Sequence, residues 1–153
     1  MIRKYLENKY QTHHGGEKYS LRDRLHTGCF ACDDGHLFGL KLRCALKDGG
    51  ERAVGRFKAA DWMRSYAGCM HGGLVSTLLD SAMTQFLLLH GEEAVTGTLE
   101  VRFRHPADLE GMFEVVAWRG ERRGRVHRMR SELRDGDGMV VAEARAQFVM
   151  SHQ

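Results

Sequence analysis

The chain has 153 residues, a formal net charge of +3 and a pI near 8.8. That length fits one domain able to bury roughly two-thirds of its unfolded surface, and the mild basicity excludes the dense positive patch of a nucleic-acid binder while favouring approach of a small polyanion. Four irregularly spaced cysteines, a charged opening without the apolar core of a signal peptide, and a longest apolar run of only Phe86 to Leu89 predict a cytoplasmic protein with no membrane span.

Residues 1–28 are polar, rich in His, Arg, Lys and Tyr, and carry Gly15-Gly16, which predicts an extension ahead of a domain over 29–153. From Gly39 to Leu46 apolar residues recur around Lys41 and Arg43. After Asp48-Gly49-Gly50 a second such run, Ala53 to Ala59, completes a predicted hairpin. Gly72 to His90 differs: Leu74, Val75, Leu78, Leu79, Ala82, Met83, Phe86 and Leu87 recur at helical spacing, and Gly91 is the stop. Four strand-like stretches follow, Ala94–Arg104, Met112–Arg119, Gly124–Arg134 and Met139–Met150, divided by Pro106-Ala107-Asp108, Arg119-Gly120-Glu121 and Asp135-Gly136-Asp137-Gly138. They read as a meander. One strong helix among about six strands leaves no parallel crossover units, so the fold class is α+β with a curved, mainly antiparallel sheet. The helix is apolar over well over half its circumference, as a central helix wrapped by that sheet and covered by a partner must be.

Asp80 stands in the middle of this helix, where an aspartate is a poor helix former and a buried charge is costly. On residue pattern alone it either joins a polar stripe with Ser76, Thr77 and Thr84 or does chemistry. His71-Gly72-Gly73 open the same helix, and two glycines allow a ligand to approach N–H groups that the first turn leaves unpaired. Gly72 and Asp80 are eight residues apart, roughly 12 Å along a helix. An oxyanion donor must lie ~3 Å from its oxygen, so if both serve one carbonyl they come from two copies of the chain, at a two-fold interface. Apolar burial, more than the distant helix dipole, should raise the Asp80 pKa.

Three stretches in this order, CFACDDGHLFGLKLR, SYAGCMHGGLVSTLLDSAM and TGTLEVRFRHPA, resemble the PaaI-like acyl-CoA thioesterases of the hotdog superfamily over residues 29 to 150. The resemblance implies a hotdog fold and hydrolysis of an acyl-CoA thioester to free acid and CoA. It implies Asp80 as base or nucleophile, the Gly72 N–H as oxyanion donor, His71 as a shaper of that pocket and Gly73 beside the substrate. It also implies Thr96 as a hydroxyl positioning water near the opposite carboxylate. Where many relatives carry an Asn six residues before the histidine, this chain has Ser65, a shorter side chain that lacks an amide's two donors. The alternative is a non-catalytic acyl-CoA-binding or regulatory hotdog domain; a dehydratase is a third reading, whose usual motifs are not recognisable here.

Other features read as bland. Cys29-x-x-Cys32 with His36 offers zinc ligands, but a fourth has no proper spacing, so no metal is expected. Cys69 has no acid placed to organise a dyad with His71. Arg119, Arg122, Arg123 and Arg125 bracket a turn, either as solvated charges or as contacts for the phosphates of CoA. A homodimer or a dimer of dimers acting on acyl-CoA is expected, with no cofactor and with no nucleic-acid or membrane partner.

Overall fold

A computed structural model describes residue 21 and residues 25–151. The expected extension, 1–28, lies almost wholly outside the described residues. Six strands, β1 (Cys44–Lys47), β2 (Arg52–Lys58), β3 (Ala94–Phe103), β4 (Met112–Arg123), β5 (Val126–Arg134) and β6 (Val140–Met150), and one long helix, α1 (Gly72–Leu89), form the domain. The sheet runs β1-β2-β4-β5-β6-β3 and each neighbouring pair is antiparallel. α1 touches all six strands.

The α+β hotdog architecture expected from the sequence is therefore present: a curved antiparallel sheet around one central helix. Alternation in β2, β5 and β6 sends Phe57, Met129, Leu133, Ala144, Ala146 and Phe148 inward, where they meet Leu78, Leu79, Ala82, Met83, Phe86 and Leu87 of α1. Among the described residues α1 is the one helix long and apolar enough to cross a membrane, and it is the buried helix of this core.

Two details differ from the sequence reading. The strands after the helix are not a simple meander, because β3 pairs with β6 and leaves β4 to lie between β2 and β5. β4 presents Phe113, Val115, Val116 and Ala117 as buried residues, whereas β3 has no fully buried residue, so β4 occupies the interior and β3 an edge. Arg119-Gly120-Glu121 is not a turn: β4 continues through it to Arg123, with a register shift between Arg119 and Glu121 that makes Gly120 a bulge. The hairpin turns at Gly124, which takes the left-handed conformation.

Two buried polar side chains fasten α1 to the sheet. Gln85 is fully buried; its Nε2 donates to the Leu42 carbonyl at 2.9 Å and its Oε1 accepts the Cys44 N–H at 3.0 Å. Ser131 of β5 donates to the Leu79 carbonyl at 3.1 Å. Both fix the rotation of α1, and with it the direction in which Asp80 points.

Candidate active site

The loop ahead of α1 is tied on three sides. Ser65 and Met70 close it through the Ser65 N–H to Cys69 carbonyl bond (2.9 Å) and the Arg64–Met70 bridge, while the Met70 N–H reaches the Ala107 carbonyl at 2.8 Å and the His71 N–H the Met63 carbonyl at 2.7 Å. His71 then caps the helix: its backbone is extended (φ −61°, ψ 129°), and its Nδ1 accepts the Gly73 N–H at 2.9 Å. His71 thus satisfies Gly73, and no group among the described residues accepts the Gly72 N–H. A Cβ on Gly72 would lie 3.3 Å from the Phe103 ring, and one on Gly73 would lie 3.0 Å from the His71 imidazole, so a side chain at either position would make the neighbouring ring shift.

Gly72 lines an open groove of about 390 Å³ together with Ser65, Tyr66, Val75, Phe103 and Pro106. Ser65 is exposed there, and its Oγ accepts the Tyr66 N–H at 2.6 Å. Asp80 is not among the residues that line this groove. Since Gly72 and Asp80 belong to one uninterrupted helix, the separation of roughly 12 Å expected from the helical rise stands.

Asp80 is half-buried on α1 and its Oδ1 accepts a 2.7 Å hydrogen bond from Thr96 Oγ1. Burial is the largest influence on its carboxyl and raises the pKa from the ordinary aspartate value; the Thr96 hydrogen bond opposes that rise. Thr96, expected as a hydroxyl that positions water near the opposite carboxylate, donates its hydroxyl to the carboxylate of its own chain. Next to Thr96 the strand carries a β-bulge, where Gly97 has no partner in the β3–β6 register and a Cβ on it would lie 3.3 Å from the Gln147 carbonyl.

The arginines expected near CoA gather at the other end of the helix. Arg122 is 3.8 Å from Glu92, which follows α1, and Arg125 donates to the Met150 carbonyl at 2.8 Å; Arg123 is exposed at the same hairpin tip. Arg119 is bound up in the structure, paired with Glu92 and 5.6 Å above the Phe86 ring. Beside that pair His127 is fully buried, and burial lowers its pKa.

Ahead of β1, the histidine that adjoins Cys29 and Cys32 is His26 and not His36, the one weighed from the sequence. His36 packs edge-on against Phe30 and accepts the Phe38 N–H. His26 instead brings its Nδ1 within 3.2 Å of Cys32 Sγ, with Cys29 adjoining. A hydrogen bond from Cys32, aided by His26 and opposed by burial, lowers the Cys29 thiol to about 4. Cys29 and His26 are both near enough to act electrostatically on Asp80.

A family model described as the thioesterase superfamily matches residues 67–142, a span that includes Gly72, Asp80 and Thr96. Among solved structures, a thioesterase superfamily protein is 18% identical with a TM-score of 0.77, the match covering 97% of this chain and 77% of that one. The E. coli PaaI protein of the phenylacetic acid degradation operon is 19% identical with a TM-score of 0.67, over 72% of this chain and 83% of that one. A hypothetical thioesterase of Streptococcus pneumoniae, solved with coenzyme A, is 18% identical with a TM-score of 0.67, over 73% and 87%. No curated protein matches.

Proposed function

Because the chain belongs to the thioesterase superfamily and has its hotdog fold, we propose that it hydrolyses an acyl-CoA thioester to free acid and CoA. The observation that carries this reading is a carboxylate of raised pKa, Asp80, held by the Thr96 hydroxyl at 2.7 Å, with the unclaimed Gly72 N–H on the same helix. In this reading the Gly72 N–H of one chain polarises the thioester carbonyl and stabilises the oxyanion. Asp80 of the other chain takes a proton from the attacking water, or attacks the carbonyl itself to form an anhydride that water then opens. Collapse of the tetrahedral species expels CoA as thiolate, which is protonated as it leaves. His71 holds the Gly73 N–H and so keeps the helix mouth formed, while Gly73 lets the substrate lie close to the backbone. Ser65 offers a hydroxyl to the carbonyl or to water. Arg122, Arg123 and Arg125 supply positive charge for the CoA phosphates.

The edge strand supports a two-chain site. β3 is ten residues long, mostly exposed and, among the described residues, unpaired along one side, with Leu99 and Phe103 exposed; such an edge pairs readily with another strand. Thr96, beside Asp80, lies at one end of β3, and Phe103, beside Gly72, at the other. Antiparallel pairing of two copies of β3 about a two-fold axis near Leu99 and Glu100 would therefore bring the Asp80 end of one chain to the Gly72 end of the other. A cytoplasmic homodimer, or a dimer of such dimers, follows from this reading.

The test is to incubate the purified protein with a panel of acyl-CoA thioesters and follow free thiol together with enoyl formation. Thiol release without enoyl product supports hydrolysis. Binding with neither product favours the acyl-CoA-binding alternative, and enoyl formation a dehydratase.

A further inference from the structure

The family match begins at residue 67, so it assigns nothing to the segment ahead of it, where His26, Cys29 and Cys32 converge. The spacing His-x-x-Cys-x-x-Cys places three ligand-type side chains at successive intervals of three. Two turns stack them on one side of the backbone: the Cys29 N–H bonds the His26 carbonyl and the Asp33 N–H bonds the Cys29 carbonyl, both at 3.0 Å. Gly28, between the first two residues, takes φ +75°, a conformation costly for a side chain with a Cβ. Asp33 staples the loop by accepting the N–H groups of Gly28 and Gly35. The loop in turn is docked on the domain, since the Phe30 and Ala31 carbonyls accept the Leu40 and Leu42 N–H groups at 2.8 and 2.9 Å. These are constraints on the backbone, so the three side chains meet without having to be gathered from a flexible tail.

Their ligand atoms all lie within 4.8 Å of one another, and His26 Nδ1 is 3.2 Å from Cys32 Sγ. A tetrahedral zinc with Zn–S near ~2.3 Å and Zn–N near ~2.0 Å needs its ligand atoms roughly 3.5–3.8 Å apart, so adjustments of about an ångström or less at half-buried His26 and Cys29 bring the set to that spacing. Cys32 is 1% exposed and anchors the set, while the other two remain accessible from outside. Two thiols and an imidazole are soft donors that select zinc over magnesium or calcium. We propose that His26, Cys29 and Cys32 bind one zinc ion per chain, with solvent as the fourth ligand, and that the ion clips this segment to the domain beside Asp80.

Binding requires both cysteines as thiolates, so zinc displaces whatever proton they still carry and affinity falls on acidification. The sequence alone pointed away from a metal because, beside Cys29, Cys32 and His36, no fourth ligand had a proper spacing; the turn at Gly28 brings in His26 in place of His36.

The experiment uses the full chain without a polyhistidine tag, purified under reducing conditions and without chelator. Elemental mass spectrometry should find one zinc per chain. After removal of the metal and dialysis, titration against a chromophoric chelator should restore one equivalent, raise the melting temperature and release protons. Cobalt(II) in its place should give thiolate-to-cobalt charge-transfer absorption and the d–d pattern of a tetrahedral site. Cys29→Ser, Cys32→Ser and His26→Ala should each abolish or sharply weaken binding, whereas Cys69→Ser and His36→Ala should keep one equivalent. The proposal is overturned if reduced wild-type protein takes up no zinc above the blank and shows no cobalt charge-transfer band, or if the Cys29→Ser/Cys32→Ser double variant binds as the wild type does. The cobalt spectrum of the wild type decides the matter even if a variant fails to fold. None of these readouts involves an acyl-CoA, so they stand or fall apart from the hydrolase reading.

Discussion

Thr96 Oγ1 donates a 2.7 Å hydrogen bond to Asp80 Oδ1 across sixteen residues of sequence and a change from helix to strand. The bond pulls the Asp80 pKa down while burial, the stronger influence, pushes it up. The carboxylate is thus held in one orientation and remains more basic than an exposed aspartate, which suits a base or nucleophile working near neutrality.

Asp80→Asn preserves shape and the capacity to accept from Thr96, but it removes the basic oxygen. Turnover should fall by ~10² or more. In the wild type, kcat/KM should decline as pH drops through the raised pKa, because the protonated acid is inactive. The stability effect runs the other way: with the folded pKa raised, the Asp80 charge costs stability above that pKa, and the cost vanishes once pH falls below the unfolded value of 3.8. The Asn variant should therefore melt higher than wild type at neutral pH, with the gap closing in acid. Wild-type-like turnover, or activity rising on acidification, contradicts the assignment.

Thr96→Val deletes the hydrogen bond with little change of volume. Without the group that lowers it, the Asp80 pKa should rise further, moving the acidic limb of the pH–rate profile to higher pH. Loss of one hydrogen bond worth about 1 kcal/mol corresponds to a drop of somewhat under tenfold in kcat/KM at neutral pH. An unchanged acidic limb would mean that Thr96 does not act through Asp80.

Gly72 occupies the first helical position, where proline is tolerated because that N–H has no intrahelical partner. His71 before it is already extended, as a residue preceding proline must be, and the Phe103 ring it would press is more than half exposed and free to shift. Gly72→Pro should thus fold, lose the oxyanion donor and fall ~10²–10³-fold in turnover. Refolded together with Asp80→Asn, it should regain activity in proportion to the heterodimer, because one of the two shared sites then carries neither lesion. If mass spectrometry shows subunit exchange while activity stays at the single-variant level, the shared site is wrong.

Gln85→Leu should destabilise the fold by about 2–4 kcal/mol, since it withdraws partners from the Leu42 carbonyl and the Cys44 N–H, both buried. Chemical denaturation measures this directly. A loss under ~0.5 kcal/mol would show that Gln85 does not tie α1 to β1.

Local pattern was enough for some of this protein. The apolar spacing of Leu74 through Leu87 marked α1, the aspartate inside it marked the candidate site, and eight helical rises separated Gly72 from Asp80, because periodicity and rise depend only on neighbouring residues. Apolar runs and the turn residues between them likewise marked six strands, though not their ends: the first was expected over Gly39 to Leu46 and β1 is Cys44–Lys47. Strand order was beyond reach, since whether β3 pairs with β4 or with β6 is decided by which strand has two faces to bury. The same limit hid Gly120 and Gly97 as bulges, for a glycine within a strand is a bulge or a turn according to the register of its partner. It hid Thr96 as the partner of its own chain's Asp80, His71 as the acceptor of the Gly73 N–H, Gln85 as the tie to β1, and His26, not His36, as the neighbour of Cys32. Each of these is a side-chain meeting set by backbone geometry or by contacts distant in sequence, which the tertiary structure alone decides.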